Sequence, residues 1–461
     1  MGEVRVSVRR AAMLERDWTK GNIFHNLLSL SWPMIIAGSL NIMGPIIPMI
    51  WVGKLGAASV AGLGVANSMA AMFTVGGMMG LTIGTRAIIA RFVGSGDPQR
   101  ANHVARQAFV ISAAYSVVVM AIGIPFAETI LSLFGLEANV VAEGAAYLRI
   151  ICMGSMIICL RYMAEGIMQA SGDTVTPMKI AIVYRLFHTI LCPFLIFGWW
   201  LFPRLGIGGA AITDAASHVL GLVLALWVLL SGRTRLRLSL GNFRLDLHVI
   251  WRIVRIGVPA AIMRIQKNIG NLVLTWFMVP FGTLAVAAHS LVQRIEMILS
   301  LPCVGLGQAS GVLVGQNLGA GRPERAEKTG WLALSSVEVF MLICSAAILL
   351  WAESIVRIFT PEPSLVAITS IFLRIATASY LFIGFEAIFQ QCISGAGDTL
   401  PSMAVSLVAL WLVLLPLSFL LPRVTDLGVY GVRLGMVIGI VVGAAAYGAY
   451  FRLGRWKRKR L

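Results

Sequence analysis

Long apolar runs separated by short polar connections fill almost the whole chain. They cover residues 24–52, 57–90, 104–126, 146–170, 177–202 and 207–231, then 248–280, 283–315, 329–351, 371–395, 400–421 and 427–453. Each exceeds the roughly 20 apolar residues that a helix needs to cross a bilayer. Inside hydrocarbon the backbone must satisfy its own hydrogen bonds, which a continuous apolar segment does as an α-helix. The pattern predicts an all-α polytopic membrane protein with twelve transmembrane helices.

The runs also repeat. Gly80-Leu81 followed by Gly94-Ser95-Gly96-Asp97-Pro98 returns as Gly305-Leu306 followed by Gly319-Ala320-Gly321-Arg322-Pro323, at an offset of 225 residues. At the same offset Glu128 meets Glu353, Leu133-Phe134 meets Ile358-Phe359, Leu148-Arg149-Ile150 meets Leu373-Arg374-Ile375, and Gly172-Asp173-Thr174 meets Gly397-Asp398-Thr399. Trp32-Pro33 and Gly56 match Val258-Pro259 and Gly282 at 226, and Leu205-Gly206 and Gly209 match Leu427-Gly428 and Gly431 at 222, so small loop changes account for the drift. Six runs per half return the chain to the same side of the membrane. The halves are therefore parallel repeats about an axis along the membrane normal, an arrangement found in secondary transporters. The expected layout is an N-terminal segment 1–23, a first lobe 24–231, a basic linker 232–247, a second lobe 248–453 and a basic tail 454–461. A cavity between the lobes follows from this layout.

Two repeated motifs have local readings. The Gly-x-Gly-x-Pro stretches supply glycine for positive φ and proline for a fixed turn, so they end helices at short loops. Gly172-Asp173-Thr174 and Gly397-Asp398-Thr399 read as helix stops in which Asp or Thr accepts free amide hydrogens of the next helix.

Composition agrees with the pattern. Of the 461 residues 58% are apolar and 12% charged, about half the charged share of a soluble domain, which leaves no room for a sizeable aqueous domain. The net charge of +17 would suggest nucleic acid in a soluble protein, but here the bases sit in short segments between spans, as the positive-inside rule expects. Arg5, Arg9, Arg10, Arg16 and Lys20, then Arg233, Arg235, Arg237 and Arg244, and finally Arg455, Lys457, Arg458, Lys459 and Arg460 mark cytoplasmic segments. Connections carrying Glu128, Glu137 and Glu143, or Glu353 and Glu362, face the other side. Both termini are expected in the cytoplasm, with the protein in the plasma (inner) membrane. The basic tail offers a further attraction to anionic lipid of roughly 1 kcal/mol per residue. Cys152, Cys159, Cys192, Cys303, Cys344 and Cys392 all lie in apolar runs without a CxxC spacing, so they read as small core residues rather than a disulfide or metal framework. The first run is too long and too interrupted by proline to be a signal peptide.

These residues resemble the multidrug and toxic compound extrusion family of secondary transporters, over roughly residues 24 to 453. The likeness is carried by Trp32-Pro33 through Val52-Gly53-Lys54-Leu55-Gly56, by Leu195-Ile196-Phe197-Gly198, and by Arg294-Ile295-Glu296 with Leu301-Pro302 and Gly305-Leu306-Gly307-Gln308-Ala309. Leu313-Val314-Gly315-Gln316-Asn317 through Gly321 and Ser394-Gly395-Ala396-Gly397-Asp398-Thr399 complete it. The resemblance implies two six-helix lobes and alternating access coupled to an inward proton or sodium gradient, with no cofactor beyond the coupling ion. Four positions depart from the family pattern. Pro48 stands where many members have a first-helix aspartate, and His188 and Cys192 replace the Asn and Asp that precede Leu-Ile-Phe-Gly. Lys267 takes the place of a seventh-helix glutamate, and Ile383 that of a tenth-helix aspartate. The usual coupling residues are thus not carried over.

Charged groups at mid-membrane cost at least about 2.5–3.5 kcal/mol on insertion scales, so those present pair with one another or line a watery cavity. Arg185 and His188, and Asp214 and His218, each share a helix face. If the fifth and sixth helices meet, Asp214 could load a coupling ion with His188 or His218 tuning it, or the three could form a static network. In the second lobe Arg264 and Lys267 share a face, Glu386 lies one turn before Gln390, and Glu296 is either a coupling acid or the partner of Arg294 or Lys267. Arg161 and Glu165 form an ion pair in the first lobe. Asn41 and Gln390 join Arg185, Arg264 and Lys267 as candidates for the substrate cavity. Pro33, Pro45 and Pro48, with Gly38 and Gly44, are expected to kink the first helix, as a gate or as a fixed bend.

The function expected is secondary active export of a small organic molecule, anionic or zwitterionic given the bases in the spans, by a monomer in a lipid bilayer. The alternative is a flippase for a lipid-linked head group. An intramembrane enzyme with a metal on His188, His218 and Asp214 is the remote reading, since HExxH, GxSxG and Walker A runs are missing.

Overall fold

A computed structural model of the chain describes residues 16–54, 57–132, 137–200, 202–239, 241 and 243–459. Arg5, Arg9, Arg10, Leu55, Gly56, Leu133, Phe134 and Arg460, used above, lie outside the described residues. The first half holds α1 (Ile23–Val52), α2 (Ala57–Ala70), α3 (Gly77–Gly94), α4 (Pro98–Gly123), a short α5 (Ala127–Ser132), α6 (Ala138–Met153), α7 (Ser155–Ser171), α8 (Val175–Phe197) and α9 (Gly206–Leu230). The second holds α10 (Leu247–Met278), α11 (Thr283–Gly319), α12 (Pro323–Arg357), α13 (Pro363–Gly395), α14 (Thr399–Leu407), α15 (Leu415–Val424) and α16 (Val429–Leu453).

Twelve spans follow from these elements among the described residues. A π-helical turn at Ala71–Gly76 joins α2 to α3, and another at Val408–Leu414 joins α14 to α15. α6 and α7 form one span bent by 51°. α10 carries Arg252, Arg255, Arg264 and Lys267, but its 32 residues reach about 48 Å at 1.5 Å per residue, ample for a bilayer. Large apolar side chains such as Val118, Ile122, Ile190, Val339, Leu342 and Ile343 stay exposed, as helix faces turned to lipid do.

The fourth span begins earlier than its apolar run at 146. Its first helix starts at Ala138, so Glu143 stands exposed on α6 rather than in a connection. Glu128 likewise sits on α5. One exposed acid does not break a helix whose other face is buried, and reading the charge as a loop marker placed the boundary too late.

The chain forms two compact units. Of the described residues, one unit holds those up to Trp18 together with Ile36–Ala261; the other holds Thr19–Ile35 and those from Ile262 onward. This differs from the lobes drawn at 24–231 and 248–453: the start of α1 belongs to the second unit, and the start of α10 to the first. In each repeat the chain changes unit two residues after the matched proline, Pro33 or Pro259. α1 itself is helical from Ile23 to Val52 through Pro33, Pro45 and Pro48.

Glycines explain the exchange. In the first unit a Cβ on Gly80 of α3 would meet Ala261 N and Gly257 O of α10 at 2.5 Å, and one on Gly84 would meet Ile253 O at 2.6 Å. In the second unit a Cβ on Gly305 of α11 would run into the Ile35 side chain of α1. Gly80 and Gly305 are the repeat-matched pair, and each admits the opening stretch of the other repeat.

The turn motifs behave as expected in the first repeat. Gly96 has φ +74° and Asp97 accepts from Arg100 N at 2.9 Å; Gly172 has φ +93° and Asp173 accepts from Thr176 N at 3.0 Å. In the second repeat Gly321 likewise has φ +69° between the helix that ends at Gly319 and the one that starts at Pro323, whereas the second Gly-Asp-Thr copy departs. Gly397 keeps φ +83°, but Asp398 does not cap α14. It accepts instead from the Tyr450 hydroxyl at 2.6 Å and pairs with Lys459 at 3.0 Å. The basic tail is accordingly folded onto the second unit rather than spread out for lipid: Trp456 is fully buried against Phe451, and Lys457 reaches Glu327 at 2.5 Å.

Candidate functional site

In the first unit polar side chains from α1, α7, α8 and α9 meet within an apolar interior. α8 and α9 pack along one another, which brings His188 to Asp214. His218 lies one turn beyond Asp214 on α9, its Nε2 3.4 Å from Asp214 Oδ2. His188 Nε2 stands 3.8 Å from Asp214 Oδ1. One carboxylate is thus shared by two buried imidazoles, the side chain that ordinarily titrates nearest physiological pH.

A second polar chain runs beside the first. Arg161 of α7 pairs with Glu165 one turn on, and donates to the Tyr184 hydroxyl at 3.2 Å. Tyr184 in turn donates to Asn41 Oδ1 of α1 at 2.6 Å. The Arg161 guanidinium lies over the rings of Tyr162 and Tyr184, at 4.3 and 4.7 Å. An ion pair, a hydroxyl and two π faces offset part of the lost hydration of this fully buried cation, whose Nε and Nη2 have no hydrogen-bond partner among the described residues. The Tyr184 ring is 5.8 Å from that of His218, so the two groups adjoin.

Arg185, the next residue of α8, is only 5% exposed. Its guanidinium fills a notch left by Gly44 of α1, where a Cβ would come within 2.6 Å of Nη1 and Nη2. Nε and Nη1 have no hydrogen-bond partner among the described residues. A buried guanidinium with open donors is a ready receptor for an anion.

In the second unit Lys267 of α10 pairs with Glu386 of α13 at 3.4 Å, with the lysine largely exposed. Arg264, one turn earlier, is also exposed. Glu296 of α11 meets Arg433 of α16 at 3.7 Å and accepts from the Tyr380 hydroxyl at 3.5 Å. Gln390 donates to Tyr447 Oη at 3.3 Å, and Tyr447 to Ser402 O at 2.8 Å. The expectation that Glu296 pairs with Arg294 or Lys267 is corrected: Arg294 is exposed, because residues two apart leave a helix on different faces. Arg433, at 2% exposed, was overlooked, as was the bridging role of Tyr184. A lone arginine inside the run 427–446 was the signal available. A cavity of about 360 Å³ lined by Trp276, Phe277, Phe281, Phe419 and Arg423 also lies in this unit, away from the predicted site residues. Among the described residues no three His, Cys, Asp or Glu side chains are grouped to hold a metal.

The model of the MatE family matches residues 33–194 and again 259–420. The second match starts and ends 226 residues after the first, the offset that pairs Pro33 with Pro259, and the two together cover well over half of the chain. The chain belongs to the MatE family. Relatives are similar along nearly their whole length. A probable multidrug resistance protein NorM of Thermotoga maritima is 24% identical, over 94% of this chain and 93% of its own. An FAD transporter of Shewanella oneidensis is 26% identical, over 91% and 93%. Among solved structures, a MOP-superfamily transporter of Pyrococcus furiosus, described as having a binding pocket of reverse polarity, superposes with a TM-score of 0.89 at 23% identity, over 96% of this chain and 98% of its own. The fold is therefore that of the MatE transporters.

Within this MatE chain the acids have moved. Cys192 is fully buried in the apolar core of the first unit, and Pro48 lies in α1 without any ionisable group. The carboxylate of that region is Asp214 on α9. In the second unit Lys267, which stands in the place of the glutamate that the resemblance implied, pairs with Glu386.

Proposed function

We propose that this MatE protein is a secondary active antiporter of the plasma membrane, monomeric, with both termini in the cytoplasm. It exports a small anionic or zwitterionic organic molecule in exchange for protons or sodium ions. The observation that carries the substrate class is Arg185, buried, held in the Gly44 notch, with two donors open. The Shewanella relative named as an FAD transporter offers an anionic precedent within the family. Asp214, flanked by His188 and His218, is the coupling acid of the first unit in this reading, and Glu386 and Glu296 are those of the second. Each second-unit acid faces a base that competes with the coupling ion for it, so that ion binding and substrate binding exclude one another. Arg264, Lys267, Asn41 and Gln390 line the substrate path.

Proteoliposomes with imposed proton or sodium gradients, loaded in turn with cationic, neutral and anionic solutes, test the proposal. Anionic or zwitterionic solutes are expected to move, driven by a gradient. Arg185→Met should abolish their transport, and Asp214→Asn or Glu386→Gln should uncouple it. Transport of cations alone sinks the substrate class, and gradient-independent transport sinks the coupling.

A further inference from the structure

Within the apolar run 329–351 one charged residue stands alone, Glu338. It lies on α12 at the edge of the buried face formed by Leu334, Val337, Met341 and Ser345, itself partly buried, with the exposed Leu342 one turn on. Its Oε1 is enclosed and has no hydrogen-bond partner among the described residues. That oxygen is directed at Gly384 of α13, where a Cβ would collide with it. A titratable group near it is a thiol, Cys303 from α11, which in turn has Cys344 of α12 nearby. On α13 the Tyr380 hydroxyl donates to Glu296 rather than to Glu338. Two cations of this unit are committed to other acids, Lys267 to Glu386 and the buried Arg433 to Glu296.

A carboxylate with an enclosed, unbonded oxygen at membrane depth is uncompensated, and protonation removes the charge. We propose that Glu338 is a proton-binding site of the second unit. It is a neutral carboxylic acid in this conformation and exchanges its proton with water during the transport cycle. The step forms or breaks one O–H bond, with the proton drawn from or returned to the aqueous phase, and involves no redox partner. Glycine at 384 provides the space for the carboxyl, and the two thiols provide neither a counter-charge nor a strong acceptor.

The role in the cycle rests on the antiport proposed above, whereas the protonation does not. Infrared difference spectra of the full-length protein between acidic and alkaline buffer read it directly. A protonated-carboxyl C=O band is expected in the wild type at neutral pH and is lost in Glu338→Gln. An unchanged band in that variant overturns the proposal. Should Glu338→Gln fail to fold, Gly384→Ala, whose methyl presses on Oε1, must shift the band, and a band that stays in place overturns it equally. In proteoliposomes Glu338→Gln is expected to lose about tenfold or more in proton-driven transport while substrate exchange without a gradient persists. Unreduced proton-driven transport removes Glu338 from the cycle. If the wild type itself shows no gradient-driven transport, the antiport reading fails, and the infrared band still decides the protonation of Glu338.

Discussion

Tyr184 gives its only hydrogen to Asn41, 143 residues away in sequence, and so joins the first helix to the buried ion pair of α7. Arg161 supplies the preceding bond in the same direction, so the two polarise one another in a low-dielectric interior. Tyr184→Phe keeps the ring over which Arg161 and Arg185 lie but leaves Asn41 Oδ1 without its donor and Arg161 with Glu165 as its remaining acceptor. A loss of about 1–3 kcal/mol is expected for unsatisfied buried groups, seen as a lower unfolding temperature in detergent. An unchanged temperature would show that water replaces the hydroxyl.

The glycine contacts can be separated from helix propensity. Gly80→Ala forces a methyl onto the Gly257 and Ala261 backbone, which has nowhere to yield, and should cost about 1–3 kcal/mol as overpacking does. Gly64→Ala, in the same span with nothing within 4 Å of the added carbon, should be neutral or gain up to about 1 kcal/mol. Parallel thermal unfolding of both variants checks the contrast, and equal effects would mean that α3 and α10 are not held at this distance.

Acid sensitivity is expected at the start of α10. Asp246 accepts from the His103 ring at 3.0 Å and from His248 N and Val249 N at 3.0 and 3.2 Å. The His103 bond, then those two amides, hold its carboxyl below the usual carboxylate range. With the folded value depressed, this contribution is complete above the unfolded value of about 3.9 and is lost as pH falls through the folded one. Asp246→Asn retains an acceptor for the amides and removes the titration. Its unfolding temperature should therefore fall less steeply than that of the wild type on acidification, and parallel curves would count against the site.

The tail gives a mechanical prediction. Trp456 is fully buried, donates to Phe451 O at 2.9 Å and stacks on the Phe451 ring at 4.8 Å. Trp456→Ala should cost about 3–5 kcal/mol if the pocket does not collapse, and should make the basic residues from Arg455 onward accessible to trypsin. Lys459→Ala, which takes a partly exposed lysine from the buried Asp398 but leaves the Tyr450 bond, should cost less, about 1–3 kcal/mol. A tail equally resistant to trypsin in Trp456→Ala would mean that its ion pairs suffice.

Much of this was legible in the sequence because it follows from local chemistry. Apolar length gives the spans, Gly96 and Gly172 give the turns, and the i, i+4 spacing of Asp214 and His218 gives their contact. What escaped depends on which elements pack together. Nothing in the spacing of Asp398 says that Tyr450 and Lys459 will claim the carboxylate its counterpart Asp173 uses as a cap. Glu296 was read against its sequence neighbour Arg294, while its partner Arg433 arrives from a helix more than a hundred residues later. Glu338 was passed over although a lone acid in an apolar run is itself a signal.

Because the chain changes unit just after Pro33 and again just after Pro259, neither sequence half encodes a complete folded body. A gene cut at the linker would give two products, each lacking the opening stretch that completes its own unit and each carrying the one its sister needs. Co-expressed halves should restore the protein where either alone does not. An ancestor made of one half would have reached this arrangement only as a pair of chains that traded the opening stretches of their first helices, so that fusion of the two genes fixed an exchange already present between separate molecules.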